Sequence, residues 1–116
     1  MPLDPAALDE YRDVLGDEFG PFFIDLIDTF FASGPEFIQT MKDALSGGDV
    51  ASFTRAAHTM KSNCKTFGAN EFAEKTFELE KLGNDKNLAD AKDKLVALEA
   101  DYQGLVAELE NLRDSL

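Results

Sequence analysis

Apolar residues recur at steps of three and four along most of the chain, which is the spacing of one face of an α-helix. The longest run of this kind lies near the C-terminus and comprises Leu88, Ala91, Leu95, Leu98, Tyr102, Leu105, Leu109, Leu112 and Leu116. A second run comprises Phe53, Ala57, Met60, Cys64 and Phe67. The alternation of apolar and polar residues that is typical of strands is absent. The pattern therefore predicts an all-α protein.

Capping and helix-breaking residues predict where the helices begin and end. Asp4-Pro5 is typical of a helix start, and Gly16 would end this short first helix. A long second helix is expected from about residue 17 to 46, before Gly47-Gly48. Because Pro35 lies inside this second helix, we expect a kink or a brief interruption there.

Three further helices are expected over about 50–67, over 70–83, and from Leu88 nearly to the C-terminus. Asp49 would cap the first of them and Asn70 the second. Short connections between such helices favour antiparallel neighbours. We therefore predict an up-down antiparallel four-helix bundle with a short additional N-terminal helix, forming a single domain over residues 1–116.

The first half of the second helix carries more apolar residues than one core-facing stripe needs. These residues are Phe19, Phe22, Phe23, Ile24, Leu26, Ile27, Phe30 and Phe31. One interpretation is deep burial, with the first helix packed across this segment. The other is an exposed apolar patch that docks a partner protein. The sequence pattern alone favours neither.

Composition and charge exclude several classes of function. The 116 residues include 23 acidic and 11 basic side chains, giving a net charge of -12, which disfavours nucleic acid and anionic membranes as partners. A single cysteine and a single histidine exclude an intrachain disulfide and a structural zinc site. No segment has the character of a signal peptide or a membrane span. We expect a reducing, cytoplasmic setting.

The acidic residues are unevenly distributed. The segment from Val50 to Asn70 contains Arg55, Lys61, Lys65 and the only histidine, His58, but no acidic residue. At about 100° per residue, His58 lies well off the apolar face of the third helix, with the three cations around it. Ser62 follows one turn after His58 and is small enough for another backbone to approach the ring. The sequence thus predicts an exposed imidazole within a basic surround.

Several kinds of histidine chemistry fit this surround poorly. A metal site lacks a second ligand, and a catalytic triad lacks a carboxylate on this helix face. A nucleophile that receives a phosphoryl group fits better, because imidazole is partly neutral near pH 7 and nearby cations stabilise phosphate oxygens. We expect no carboxylate beside the ring, since it would repel the incoming phosphoryl group. The alternative is an ordinary surface histidine.

The segment around His58 is similar to the signature of histidine-containing phosphotransfer (HPt) domains of multistep phosphorelays. The matching residues are His58, Lys61, Ser62, Gly68, Ala69, Ala73, Leu79 and Glu80. The resemblance implies that His58 accepts a phosphoryl group from a phospho-aspartate on one receiver domain and passes it to another receiver. It implies a carrier that is not itself an enzyme and has no cofactor of its own, with Mg²⁺ supplied by the receiver.

The resemblance also implies roles for residues around His58. Lys61 would neutralise charge near the phosphoryl group, Ser62 would leave room for the receiver, and Lys65 is similar to basic positions that assist phosphate. Arg55, in the basic surround of His58, is a further candidate site residue. Gln39 on the second helix is similar to a polar residue near the histidine. Receiver docking is expected at Leu8, Tyr11, Phe19, Phe22 and Phe23.

The partners implied are receiver domains and a hybrid sensor histidine kinase, and we expect a monomer. A second hypothesis is a helical docking module for a receiver or a kinase in which His58 is silent.

Overall fold

The computed structural model describes residues 2–116, so Met1, which the predicted domain includes, lies outside the described residues. The five helices are α1 (Pro5–Leu15), α2 (Phe19–Gly47), α3 (Val50–Thr66), α4 (Asn70–Asn84) and α5 (Ala91–Asp114). A 3-10 turn at Gly16–Glu18 joins α1 to α2. This part of the chain contains no strand, and none of its helices is long and apolar enough to cross a membrane.

Helices α2 to α5 pack in cyclic order, each against the next in the chain, and α5 closes the bundle against α2. The bundle is elongated, with extents of 45 × 21 × 20 Å. Helix α1 packs across the start of α2. The predicted antiparallel four-helix bundle with a short N-terminal helix is confirmed. The apolar residues predicted to face the core from α3 are all buried, and so are those of α5 between Ala91 and Leu112.

The helix starts follow the predicted capping chemistry in two cases. The Asp4 carboxylate accepts a hydrogen bond from the backbone N–H of Ala6 at 3.0 Å and so caps α1. The Asp49 carboxylate accepts one from the backbone N–H of Ser52 at 3.1 Å and caps α3. Each bond satisfies an N–H group that has no partner within its own helix.

Three local predictions are corrected by the structure. Helix α2 is not interrupted at Pro35, because packing on both sides of that residue holds the helix together, and the alternative of a kink there stays a prediction. Asn70 does not cap α4; its amide donates instead to the Asp4 carboxylate at 3.1 Å. Helix α5 begins at Ala91 rather than near Leu88, because hydrogen bonds between Asn87 and Asp90 close a turn first.

The Phe-rich first half of α2 is mostly core. Phe23 is fully buried and contacts the rings of Phe19, Tyr11 and Phe67 at centroid distances of 4.5, 5.3 and 6.2 Å. Burial against α1, α3 and α5 therefore accounts for most of the excess apolar surface, and Phe22 is the large side chain of this group that stays exposed. Cys64 lies in the same core, where burial raises the pKa of its thiol to about 12.

The N-terminal segment is fastened to the turn between α3 and α4. The backbone N–H of Asp4 donates to the carbonyl of Gly68 at 2.8 Å. Gly68 has a φ of +73°, in the left-handed region that glycine adopts without strain. A Cβ atom at Gly68 would lie 2.8 Å from the backbone oxygen of Asp4. The approach of the two backbones therefore depends on the missing side chain.

We expect Gly68→Ala to lower the free energy of unfolding by about 1–3 kcal/mol, because it combines a strained φ with a backbone clash. Urea denaturation measures the change. Gly104→Ala is the matched control: Gly104 lies inside α5, and apart from the adjacent residues and the backbone of its own helix, no atom lies within 4 Å of the position that a Cβ would take there. Alanine at this position should therefore stabilise by about 0.5–1 kcal/mol. Equal effects of the two substitutions would contradict the close approach at Gly68.

Candidate functional site

His58 lies in the middle of α3 on the face that points away from the core. Its neighbours Ala57 and Met60 are fully buried, whereas the His58 side chain is 62% exposed. The sequence prediction of a solvent-facing imidazole on a rigid helix therefore agrees with the structure.

A carboxylate from the neighbouring helix contacts the imidazole. Glu80 of α4 lies across from His58, and its side chain is only 7% exposed. The two Glu80 oxygens lie 2.9 and 3.1 Å from Nδ1 of His58. The same oxygens accept hydrogen bonds from Nζ of Lys61 at 2.7 and 3.2 Å. One buried carboxylate thus links the histidine and the lysine of α3 to α4.

The expectation that no carboxylate stands beside the ring is therefore wrong. That expectation considered only the acid-free face of α3, and Glu80 comes from another helix, 22 residues further along the chain. The sequence did carry a signal. Glu80 falls on the buried stripe of α4, among the residues Phe72, Ala73, Thr76, Leu79 and Gly83. An acidic residue on such a stripe requires a cation or another donor nearby.

The contacts of Glu80 determine which nitrogen of His58 carries the proton. Burial alone would raise the pKa of the Glu80 carboxyl, but the hydrogen bonds from Lys61 and His58 outweigh it and lower that pKa. Glu80 is therefore ionised and can only accept hydrogen bonds. Nδ1 of His58 must be the donor, so the neutral ring keeps its lone pair on Nε2, the nitrogen not engaged by Glu80.

Lys61 occupies a partly enclosed position. Its side chain is 13% exposed, and its ammonium group lies between the Glu80 carboxylate and the ring of Phe77, 4.7 Å from the ring centroid. The charge of Lys61 is matched by Glu80.

The hydroxyl of Ser62 donates to the carbonyl of His58 at 3.1 Å and so lies close against the helix, beside the exposed ring.

Arg55 and Lys65 are exposed on the same side of α3 as His58. Neither takes part in an ion pair within residues 2–116. These two cations are therefore available to an anion that approaches the ring.

Gln39 is not brought to His58. It lines the groove between α2 and α5, together with Glu99 and Gln103, and its amide donates to Asp43 of its own helix at 2.9 Å. The predicted position of Gln39 near the histidine is corrected, because its register on α2 directs it toward α5 rather than α3.

The predicted docking residues fall into two groups. Leu8, Phe19 and Phe23 are buried between α1 and α2, so they offer no surface to a partner, and the prediction for these three is corrected. Tyr11 and Phe22 are exposed, Phe22 to 43%. Val14, one turn from Tyr11 on α1, is 84% exposed and was missed by the sequence analysis. We call Tyr11, Val14 and Phe22 the N-terminal apolar patch.

A groove of about 510 Å³ runs between α3 and α4, from His58 toward the loop that follows α4. Gly83 forms part of its floor; a Cβ there would collide with the hydroxyl of Thr54, so the two helices are in close contact. Arg55 and Lys86 line the groove, and Glu80 is the only acidic residue among its lining. In the described part of the chain, no group of three or more His, Cys, Asp or Glu side chains is arranged to hold a metal ion.

The site is therefore a single histidine on an exposed face of a four-helix bundle, oriented by a buried carboxylate. The sequence model of the Hpt domain matches residues 25–115. The chain belongs to this family, and its function is histidine phosphotransfer in phosphorelays.

The crystal structure of histidine-containing phosphotransfer protein B from Pseudomonas aeruginosa PAO1 has the same fold. It superimposes with a TM-score of 0.83 at 24% sequence identity, over 98% of this chain and 96% of that chain. No curated protein sequence matches the chain significantly. The superposition extends the fold likeness to α1, which lies outside the residues that match the family model.

We expect Glu80→Gln to lower the free energy of unfolding by about 1–3 kcal/mol at pH 7, because it leaves the largely buried Lys61 without its counter-charge. The native pKa of Glu80 lies below the ordinary value of 4.5, so its contribution to stability is complete above that value. The contribution is lost as the pH falls through the native pKa. The difference between wild type and variant should therefore shrink in acid.

Urea denaturation between pH 7 and pH 3 measures this difference. Glu110→Gln is the control, since Glu110 is exposed on α5 and its replacement should change stability by less than about 0.5 kcal/mol at any of these pH values. A difference for Glu80→Gln that stays constant with pH would contradict an ionised Glu80.

Proposed function

We propose that Nε2 of His58 accepts a phosphoryl group from the phospho-aspartate of one receiver domain and passes it to the aspartate of another. The observation that carries the proposal is the pairing of Nδ1 with the buried Glu80 carboxylate. This pairing leaves the lone pair on Nε2 of a ring whose side chain is 62% exposed. A nucleophile whose side chain is exposed to this extent can be reached by another folded domain.

The transfer step balances without a proton entering or leaving. The lone pair of Nε2 attacks phosphorus, an N–P bond forms, and the bond between phosphorus and the aspartyl oxygen breaks. The receiver recovers an ionised carboxylate. The ring keeps its proton on Nδ1 and gains positive charge, which Glu80 stabilises through the existing hydrogen bond.

The hydrogen bond between Nδ1 of His58 and Glu80 also favours transfer of the phosphoryl group from His58 to the second receiver. A phosphohistidine that remains protonated on Nδ1 is a better leaving group than a neutral one, because nitrogen departs as neutral imidazole. Glu80 keeps that proton in place while the carboxylate of the next receiver attacks phosphorus. His58 is the residue that touches the phosphoryl group, and Glu80 acts through it as a positioning residue.

The surrounding cations have different parts in this proposal. Arg55 and Lys65 are exposed and form no ion pair in the described part of the chain, so they are suited to contact phosphoryl oxygens directly. Lys61 is held by Glu80 and contributes by keeping that carboxylate ionised and in position. The small Ser62 leaves the space beside His58 open to the loops of the receiver.

The partners that fit this reaction are receiver domains and a hybrid sensor histidine kinase. The N-terminal apolar patch of Tyr11, Val14 and Phe22 is the surface suited to dock them, since these side chains are exposed. Tyr11 and Phe22 pack on Phe23, whose ring contacts Phe67 at the C-terminal end of α3. In this proposal the protein acts as a carrier without catalysis of its own, and the receiver supplies Mg²⁺. A monomer leaves both surfaces free; the cytoplasmic setting stays a prediction.

Replacing His58 with glutamine should abolish phosphate acceptance and leave the fold intact, because the side chain is exposed. The measurement is transfer of labelled phosphate from a panel of phosphorylated receiver domains to wild type and His58→Gln. The label on wild type should be acid-labile and alkali-stable, which is the behaviour of phosphohistidine. Circular dichroism reports whether the variant keeps its helices.

Label on the His58→Gln variant would place the acceptor elsewhere. Receivers that bind the wild type without transferring would instead support a docking module in which His58 is silent. In that case the N-terminal apolar patch would be the functional surface.

The role of Glu80 in holding the His58 proton on Nδ1 can be tested separately from phosphate transfer. In wild type, ¹⁵N NMR of the neutral imidazole should show the proton on Nδ1, and Glu80→Gln should shift the population toward protonation at Nε2. Loss of such a positioning group should slow transfer about 10- to 100-fold. The exposed control Glu110→Gln should change neither the tautomer nor the rate. An unchanged tautomer in Glu80→Gln would remove Glu80 from this role.

A further inference from the structure

The cations on the His58 side of the bundle are not distributed symmetrically about the histidine. Arg55 and Lys86 lie along the groove that leads from His58 toward the loop after α4. The N-terminal apolar patch lies in the other direction, near Phe67, whose ring contacts Phe23 at the far end of α3. The two sides of the histidine therefore present different chemistry: aromatic and aliphatic on one, cationic on the other.

The cations of the groove form no ion pair, although Asp49 is near Arg55: its pKa is lowered mainly by hydrogen bonds from Ser52 and further by the charge of Arg55. None of the ion pairs formed among residues 2–116 includes Arg55 or Lys86. The acidic residue of the groove lining, Glu80, is already matched by Lys61. In a chain with a net charge of -12, two unpaired cations beside one groove form a local positive surface.

Lys86 is held in place by the backbone of its loop. It has a φ of +58°. Its N–H donates to the carbonyl of Gly83 at 3.0 Å, and the N–H of Asn87 donates to the carbonyl of Leu82 at 2.8 Å. These bonds fix the turn that carries Lys86 at the end of the groove.

A docked receiver covers this groove. A transient protein interface buries about 600–800 Å² on each partner, which corresponds to a disc with a radius of roughly 14–16 Å. The groove begins at His58 and reaches Val50, and these residues are separated by about 12 Å along α3. An interface centred on the reacting nitrogen therefore extends over Arg55 and Lys86.

We propose that the groove from His58 to Lys86 binds an acidic segment of the receiver and thereby sets the direction in which the receiver docks. The proposal rests on the proposed function and adds to it the chemistry of the contact. An acidic segment is repelled by most of the surface of this protein and attracted at the groove. The N-terminal apolar patch engages a different part of the receiver, so the two contacts together exclude the reversed orientation.

The test uses Lys86→Glu in the full chain, with Lys92→Glu as the matched control. Lys92 lines a second groove between α2 and α5, distinct from the one that Gln39 lines, and forms no ion pair in the described chain. Lys92→Glu changes the net charge by the same amount as Lys86→Glu. Lysine and glutamate are equally strained at the positive φ of residue 86, so Lys86→Glu changes the charge without changing this strain. A second variant, Lys86→Asn, removes the charge and places there a residue that tolerates a positive φ. The donor is the phosphorylated receiver domain that labels wild type fastest among those tested.

We expect Lys86→Glu to lower kcat/KM for transfer about three- to tenfold at low ionic strength, mainly through KM, and Lys86→Asn to have a smaller effect. The loss should diminish at high salt, where the attraction is screened. Lys92→Glu should transfer like wild type. Labelling of His58 by phosphoramidate, a small donor that needs no docking, should be the same in all of these variants.

Two results would overturn the inference while leaving the proposed function intact: Lys86→Glu transfers like wild type at low salt, or Lys92→Glu loses as much. Slower phosphoramidate labelling of Lys86→Glu would also overturn it, because the groove would then bind the phosphoryl anion itself. Failure of the wild type to accept label from either donor would overturn the proposed function, and this inference with it.

Discussion

A carboxylate enclosed between two helices needs hydrogen-bond donors, and in this protein the donors of Glu80 are Nδ1 of His58 and the ammonium group of Lys61. The requirement acts in both directions. The donors keep Glu80 ionised at a buried position, and Glu80 holds the proton of the imidazole on the nitrogen that does not react. The stability of the α3–α4 interface and the reactivity of the histidine therefore depend on the same few contacts.

The distribution of charge follows from this arrangement. His58 in its neutral form, Lys61 and Glu80 together carry no net charge, so the site is not electropositive by itself. The positive charges on this side of the bundle that form no ion pair are those of Arg55, Lys65 and Lys86. An acidic protein that handles an anionic group benefits from this separation, because its few unpaired cations lie where the anion arrives.

Sequence periodicity predicted the bundle well, because burial of an apolar stripe dominates helix packing and each stripe is visible at steps of three and four. The exposure of His58 followed from the same geometry. The periodicity did not predict which side chains on neighbouring helices contact one another. Glu80 was missed as a partner, and Gln39 was assigned to the wrong neighbour, because both depend on how one helix is rotated against the next. Leu8, Phe19 and Phe23 were expected to dock a partner because composition does not show which apolar residues are buried between α1 and α2.

The backbone hydrogen bond from Asp4 to Gly68 joins the segment before α1 to the turn between α3 and α4. The family match starts at residue 25, inside α2, and leaves out α1 together with the first turns of that helix. A chain trimmed to that boundary would lose the aromatic ring of Phe23 that packs on Phe67 and the donor to the Gly68 carbonyl. The turn that joins the histidine helix to the glutamate helix would then be solvated on its outer side. The packing contacts that support the turn between α3 and α4 therefore extend beyond the boundary of sequence similarity.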